Sequence, residues 1–248
     1  EMLNDKDPVF PMNLCRCANC GLIQLKDIID SNEIYKNVDY LYFSSDMPGL
    51  SDYFKTYADM LSNRYLKKND FVLEIGCNDG VMLEHFQKNF KVLGVDPSTN
   101  VILRTLKKGI PSVPLFFSER IAQQIKFEWG QPNLIVANNC IAHLDDLHDL
   151  MRGVSNLLAP GGLFVLECNY WGGMVKNTNY SLIYHDHYSY FSLKVWEEFS
   201  KKFNMSIFDA EITPAQGGSL RLTLSNDKRK MTDEASSLLE QEEVNGLN

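Results

Sequence analysis

The stretch Val72-Leu-Glu-Ile-Gly-Cys-Asn-Asp-Gly80 joins an apolar run to a turn carrying two glycines, and its reading decides the fold. The run Phe71 to Ile75 predicts a strand, and Val81 to Asn89 predicts a helix beyond the turn. Glycines there permit positive φ and let backbone N–H groups approach a ligand, while the helix N-terminus adds positive potential. That geometry suits a nucleotide-like ligand; a tight turn without a ligand is the plainer alternative.

Outward from this turn, strand-like and helix-like segments alternate: Lys91 to Val95 then Asn100 to Lys108, Leu134 to Ala137 then Leu144 to Leu158, and Leu163 to Glu167. Asp96-Pro97-Ser98 and Pro160-Gly161-Gly162 punctuate them, so residues 70 to 170 read as the core of a doubly wound, Rossmann-like α/β sheet. Upstream, Tyr53, Tyr57, Met60, Leu61 and Tyr65 recur at helical spacing between Asp52 and Leu66. The expected division is an N-terminal segment over 1–50, a cofactor domain over 51–192, and the start of a C-terminal α/β region over 193–248. In that last region Leu193 to Phe203 reads as helix, and Met205 to Ala210 and Ser219 to Leu224 as strands. Thr232 to Glu243 reads as a helix that the chain begins without completing.

The chain has 248 residues, 44% hydrophobic and 23% charged, which is ample for a large core. A net charge of -8 speaks against nucleic acid, since phosphate binding needs clustered Lys and Arg. No apolar run approaches the roughly 20 residues that span a bilayer. The stretch Glu1 to Asn13 lacks the basic-then-apolar order of a secretory signal. The chain starts at Glu1 without an initiator Met and is expected to be a piece of a longer one. Six cysteines are too few for a disulfide scaffold; Cys77, Cys140 and Cys168 stand in apolar contexts, and a cytoplasmic location is expected.

Val92-Leu-Gly-Val-Asp96 ends in an acid about 20 residues after the turn, where a carboxylate accepts from ribose hydroxyls. A helix N-cap is the alternative for Asp96. The spacing Glu74-x-Gly76-x-Asn78-x-Gly80 fits S-adenosylmethionine (SAM) better than a dinucleotide, whose turn reads G-x-G-x-x-G. Glu74, Gly76, Asn78, Gly80 and Asp96 are therefore expected at SAM. Asn138 and Asn139, at the end of another strand, are expected to face its methionine part or a substrate. Phe116-Phe117 reads either as core or as a flank for adenine.

Further motifs make the chain resemble the sugar C-methyltransferase family that acts on nucleotide-linked 4-keto-deoxysugars. They are Phe10-Pro11 with Cys17-x-x-Cys20-Gly-Leu-Ile-Gln24, Tyr40-x-Tyr42-Phe-Ser-Ser45, Asn138-Asn-x-x-Ala-His143, Tyr184-His-Asp-His187-x-x-Tyr-Phe-Ser192 and Gly217-Gly-Ser-Leu-Arg221. The resemblance implies three parts, namely an N-terminal zinc module, a SAM-binding middle and a C-terminal α/β domain, with this chain truncated at both ends. It places substrate-facing residues at Tyr40 to Ser45, His143 and Tyr184 to His187. The chain departs from the family at Asp186, where Glu is usual, at Ala215-Gln216, where His is usual, and at Cys168-Asn-Tyr, where Pro-His is usual.

Methylating a carbon beside a ketone needs a base, a donor for the enolate oxygen and a positioned methyl group. A His of ordinary pKa near 6.5 is basic at neutral pH, and a Tyr can donate to an oxyanion. His187 is the expected base, Tyr184 the enolate donor and Asp186 an orienting acid, with His143 as a second acid or base and Tyr42 closing over the substrate. Satisfied histidines and plain aromatic packing are the alternatives. His185 and His187, two apart in an extended loop, point opposite ways and do not suggest a chelate. Cys17 and Cys20 have zinc spacing, but with only Cys15 nearby a four-ligand set is incomplete, so zinc is left open. The expected partner is a small sugar nucleotide, the oligomeric state being unknown. An O- or N-methyltransferase on a sugar or small molecule, or an inactive SAM- or sugar-nucleotide-binding module, remains the alternative.

Overall fold

The computed structural model describes residues 9–247; residues 1–8, on which most of the reading of Glu1 to Asn13 falls, and Asn248 lie outside the described residues. Strands β1 (Leu14–Arg16) and β2 (Ile23–Leu25) form a hairpin, followed by the short helix α1 (Ser31–Tyr35) and the long helix α2 (Leu50–Tyr65). Then come β3 (Phe71–Ile75), α3 (Leu83–Phe86), β4 (Lys91–Val95), α4 (Thr99–Lys107), β5 (Ser112–Val113), α5 (Glu119–Trp129), β6 (Leu134–Asn138), α6 (Leu147–Leu157) and β7 (Leu163–Asn169). After α7 (Trp171–Lys176) and β8 (Ser189–Tyr190), the chain ends in α8 (Leu193–Lys201), β9 (Ser206–Thr213), β10 (Ser219–Ser225) and α9 (Asp233–Val244).

The main sheet has the order β5-β4-β3-β6-β7-β10-β9, with the first five strands parallel and β10 antiparallel to both neighbours. Every residue of β3, β6 and β7 is buried, as in parallel sheets covered on both faces. Alternate side chains take opposite faces. Val72, Val136 and Val165 pack with Tyr57, Leu61 and Phe86, whereas Leu73, Ile135 and Phe164 pack with Ile125, Leu150 and Val154. Each such side chain contributes roughly 1.5–3 kcal/mol by leaving water. Helix α2 buries Phe54, Tyr57, Ala58 and Leu61 at i, i+3, i+4 and i+7; of the expected face Tyr57 and Leu61 are buried, while Tyr53, Met60 and Tyr65 are half-buried at its margin.

Several expectations shift. The helix expected over Val81 to Asn89 is the single turn α3, because Phe90 N–H closes back on the Phe86 carbonyl at 3.0 Å and β4 starts at once. The helix expected from Leu144 starts at Leu147, because Asp146 accepts from Asp149 N–H and caps it there, leaving Ile141–His143 as a tight turn. Helix α5, capped by Ser118 and ended at Gly130 (φ 90°), was not foreseen.

The region after residue 192 does not open a separate unit within the described chain. Strand β10 runs in register along β7 from Ser219↔Asn169 to Ser225↔Leu163 and brings β9 with it. Leu220, Leu222 and Leu224 enter the same core as Phe164 and Leu166, since an apolar sheet edge at β7 must be covered. Helix α9 completes itself within the chain and returns to α8, where Glu242 accepts from the N–H groups of Leu193 and Lys194 at 2.7 and 2.8 Å. The N-terminal segment is likewise tied in, because β2 pairs with β8. No helix among the described residues is long and apolar enough to cross a membrane.

Candidate active site

A cavity of about 370 Å³ opens at the carboxyl ends of β3, β4 and β6. There the chain reverses its direction of travel across the sheet, the place where open α/β folds bind ligands. Five expected cofactor residues line it, Gly76, Asn78, Asp96, Asn138 and Asn139, as do all five expected catalytic residues, Tyr42, His143, Tyr184, Asp186 and His187.

Glu74 and Gly80, also expected at the cofactor, are not in that wall. Glu74 is buried within β3, and its burial pushes the carboxyl well above the usual carboxylate range. Gly80 (φ 75°) is needed for packing, since a Cβ there would stand 2.7 Å from Cγ2 of Thr105. Gly76 does meet the cavity, and its backbone takes φ 68° where a Cβ would collide with Cys140 at 2.5 Å.

Asp96 accepts from Asn78 N–H at 3.0 Å and Ser98 N–H at 2.9 Å, so the carboxylate is held rigidly at the wall. Asn78 uses its side chain elsewhere than expected. Its amide oxygen accepts from Ser44 N–H at 2.8 Å and its amide nitrogen donates to the Tyr42 carbonyl at 3.0 Å. Asp79 accepts from Ser45, Asn100 exchanges hydrogen bonds with the Tyr40 backbone, and Arg104 stacks 3.5 Å over Phe43 while pairing with Asp46 at 2.9 Å. Residues 40–46 thus form a strap pinned over the glycine turn. Ser98 Oγ, Asn138 Oδ1 and Asn139 Oδ1 are buried at this wall without protein partners. Such orphans suit the hydroxyls and amino-acid end of SAM.

The Tyr-His-Asp-His loop supplies the other part of the wall. Tyr184 Oη lies 2.7 Å from Nε2 of His187, whose Nδ1 lies 3.0 Å from the Leu182 carbonyl. Burial, and then the neighbouring His143, push the His187 pKa down to about 4, so the imidazole is neutral at pH 7. His143 stacks 4.8 Å from it and sets Nδ1 against the Asp186 carbonyl at 2.6 Å and carboxylate at 3.7 Å. Its pKa is also lowered by burial, with Asp186 opposing. Tyr184 is held above its usual value by burial and by Asp186, which keeps its O–H as a donor. His185 turns away to the Phe10 carbonyl at 2.9 Å, as i and i+2 alternation requires.

Sequence reasoning gave no site role to three contributors, of which Gln216 and Asn169 stood out only as departures from the family the chain resembles. Tyr35, from α1, edges His143 at 6.0 Å and Tyr40 at 5.1 Å; nothing local marks it. Gln216 reaches the wall from the β9–β10 turn at φ 49°. Asn169, at the end of β7, touches Nδ1 of His187. Phe116 and Phe117 both line the cavity. Cys17 and Cys20 sit on a tight turn where Gly21 N–H bonds the Cys17 carbonyl at 3.0 Å. Among the described residues no cluster of three or more His, Cys, Asp or Glu is arranged for a metal, so the residues present do not fit a closed zinc site.

A family model for a methyltransferase domain matches residues 50–208, which carry the glycine turn, Asp96 and the Tyr-His-Asp-His loop. The chain belongs to that family. This methyltransferase is 31% identical over 227 residues to the C-methyltransferase NovU of Streptomyces niveus, covering 89% of this chain and 54% of that one. It is 28% identical over 102 residues to the dTDP-4-amino-2,3,4,6-tetradeoxy-D-glucose N,N-dimethyltransferase of Saccharopolyspora spinosa, covering 39% of each. Among solved structures, magnesium protoporphyrin IX methyltransferase from Synechocystis with bound S-adenosylhomocysteine superposes with a TM-score of 0.54 at 15% identity, covering 72% of this chain and 84% of that one. The chain spans about half the length of NovU and less of the second relative. The chain carries a SAM-dependent methyltransferase domain on a Rossmann-like fold, and Gly76, Asp96, Ser98, Asn138 and Asn139 line its cavity at the strand ends.

Proposed function

We propose that this methyltransferase places a methyl group on a carbon beside the ketone of a nucleotide-linked deoxysugar. The observation that carries the reading is the Tyr184–His187 pair at 2.7 Å, a neutral base capped by a phenol, in the same cavity as the glycine turn. An O- or N-methyl transfer needs no base for a C–H bond. The C-methyltransferase relative supports the carbon, and the deoxysugar relative supports the sugar. The cavity wall holds no Lys or Arg among the described residues, which suits a sugar ring inside with its diphosphate outside.

SAM supplies an electrophilic methyl group. In the resting site the Tyr184 O–H donates to Nε2 of His187. A ketone oxygen arriving beside Tyr184 competes for that hydrogen, and the hydroxyl turns to it, baring the Nε2 lone pair. The α C–H bond then breaks, its proton going to Nε2 and its electron pair to the oxygen, where Tyr184 stabilises the enolate. Burial lowers the pKa of His143 beside the same wall, against Asp186, so the protonated His187 has a neutral imidazole for its neighbour.

The test is incubation with SAM and a panel of 4-keto sugar nucleotides in deuterated water, read by mass spectrometry. Methyl gain with exchange of the α hydrogen is expected. Methyl gain with full retention of that hydrogen overturns the carbon reading in favour of O- or N-transfer.

A further inference from the structure

His187 has acceptor and donor groups on both ring nitrogens, and only one arrangement satisfies them all. Its Nδ1 faces the Leu182 carbonyl, an obligate acceptor, at 3.0 Å, and the side-chain amide of Asn169, whose nitrogen lies 3.1 Å away. A hydrogen on Nδ1 answers Leu182 but meets the amide N–H of Asn169 donor to donor. A bare Nδ1 answers Asn169 but sets a lone pair against the Leu182 oxygen. Half a turn of the Asn169 amide resolves both conflicts, because Oδ1, which has no other partner, then joins Leu182 in accepting from Nδ1–H.

We propose that Asn169 is a positioning residue that, together with the Leu182 carbonyl, keeps the His187 hydrogen on Nδ1 and so leaves Nε2 as the lone-pair end toward Tyr184 and the cavity. This rests on the proposed proton abstraction only for its catalytic consequence. Asn169 suits that role because it is 3% exposed, ends the central strand β7 and is paired in register with Ser219 of β10, so its Cα has no freedom to drift. A fixed tautomer matters because a histidine base with its hydrogen on the wrong nitrogen presents no lone pair to the substrate. The position also lies in the segment where the chain departs from the family it resembles, which tends to carry Pro-His there.

The experiment uses the full chain with ¹⁵N-labelled histidine, the His187 signals being assigned by their loss in His187→Asn. Wild type is expected to show a protonated Nδ1 and a bare Nε2 near pH 7, without substrate. Asn169→Leu, similar in size but without an acceptor, is expected to mix the tautomers and lower kcat about tenfold, the worth of one buried hydrogen bond, with SAM affinity unchanged. Asn169→Asp is expected to keep Nδ1–H and to raise the pH at which His187 titrates. His143, Tyr184 and Tyr190 face that ring in every variant, with Asp186 held at His143, so the difference reports position 169. A wild-type His187 protonated on Nε2, or an Asn169→Leu protein with unaltered tautomer or unaltered kcat, overturns the proposal. A correct tautomer in a protein that exchanges no α hydrogen from any 4-keto sugar overturns the reaction reading alone.

Discussion

Asn78 on the cofactor turn reaches across 34 residues of sequence to hold the Ser44 N–H at 2.8 Å, and its own N–H is held by Asp96 at 3.0 Å. One residue thereby couples the carboxylate at the cofactor wall to the strap that carries Tyr42. Its φ of 48° suits Asn better than most side chains. Asn78→Ala is expected to weaken SAM binding about tenfold, from lost hydrogen bonds and an unfavourable φ, and to speed amide exchange across residues 40–46. Calorimetry and hydrogen exchange check the two halves; unchanged exchange would detach the strap from the turn.

Asp96→Ala removes the carboxylate expected at the ribose. A hydrogen bond to a charged group is worth roughly 1.5 to 3 kcal/mol, so SAM affinity should fall at least about tenfold in a calorimetric titration. Unaltered affinity would move the ribose away from β4.

For the proposed base, His187→Asn is expected to abolish both α-hydrogen exchange and methyl transfer, a loss of about 10²- to 10⁴-fold, with SAM binding intact. Tyr184→Phe should slow both without removing either. Exchange at wild-type rate in His187→Asn would hand the base's role to His143, which stacks 4.8 Å away.

The buried histidine also predicts how stability varies with acid. Its folded pKa near 4 lies below the unfolded value near 6.5, so the unfolded chain binds the extra proton between them. The stability that His187 contributes by staying neutral is fully present above pH 6.5 and is lost progressively toward pH 4, by up to roughly 3 kcal/mol. Chemical unfolding between pH 6.5 and 5 should show a shallower decline in His187→Asn than in wild type; parallel curves would place the proton elsewhere.

Beneath the sheet's end, Glu167 is fully buried and accepts from Arg221 at 2.9 Å, Tyr53 at 2.6 Å and Thr213 at 3.2 Å, while the guanidinium lies 3.6 Å over Tyr57. Removing one partner of a buried ion pair strands the other charge. Arg221→Met should destabilise the fold by about 3–5 kcal/mol in denaturant unfolding, and Glu167→Gln in the same chain should restore part of that. Additive losses would show that the pair is not coupled.

Much of this molecule was legible from residue order alone. The β3 turn, Asp96 and the paired amides of β6 announced the fold and the cofactor, because a nucleotide-like ligand needs small residues and acids at strand ends, and those are local in sequence. The face of α2 was legible for the same reason, since 3.6-residue periodicity is local. Only the tertiary structure decided that β9 and β10 complete the central sheet rather than open a new unit, because strand pairing joins Ser219 to Asn169 across a span that no periodicity reports. It also decided that Glu74 and Gly80 serve the turn from behind the wall, that Asn78 clasps the strap, and that Tyr35, Gln216 and Asn169 belong to the site. Tyr35 carries no local signature, and the motif and the departures from the family named the others without their roles; those roles come from side chains that meet only when distant segments pack and leave polar atoms in need of partners.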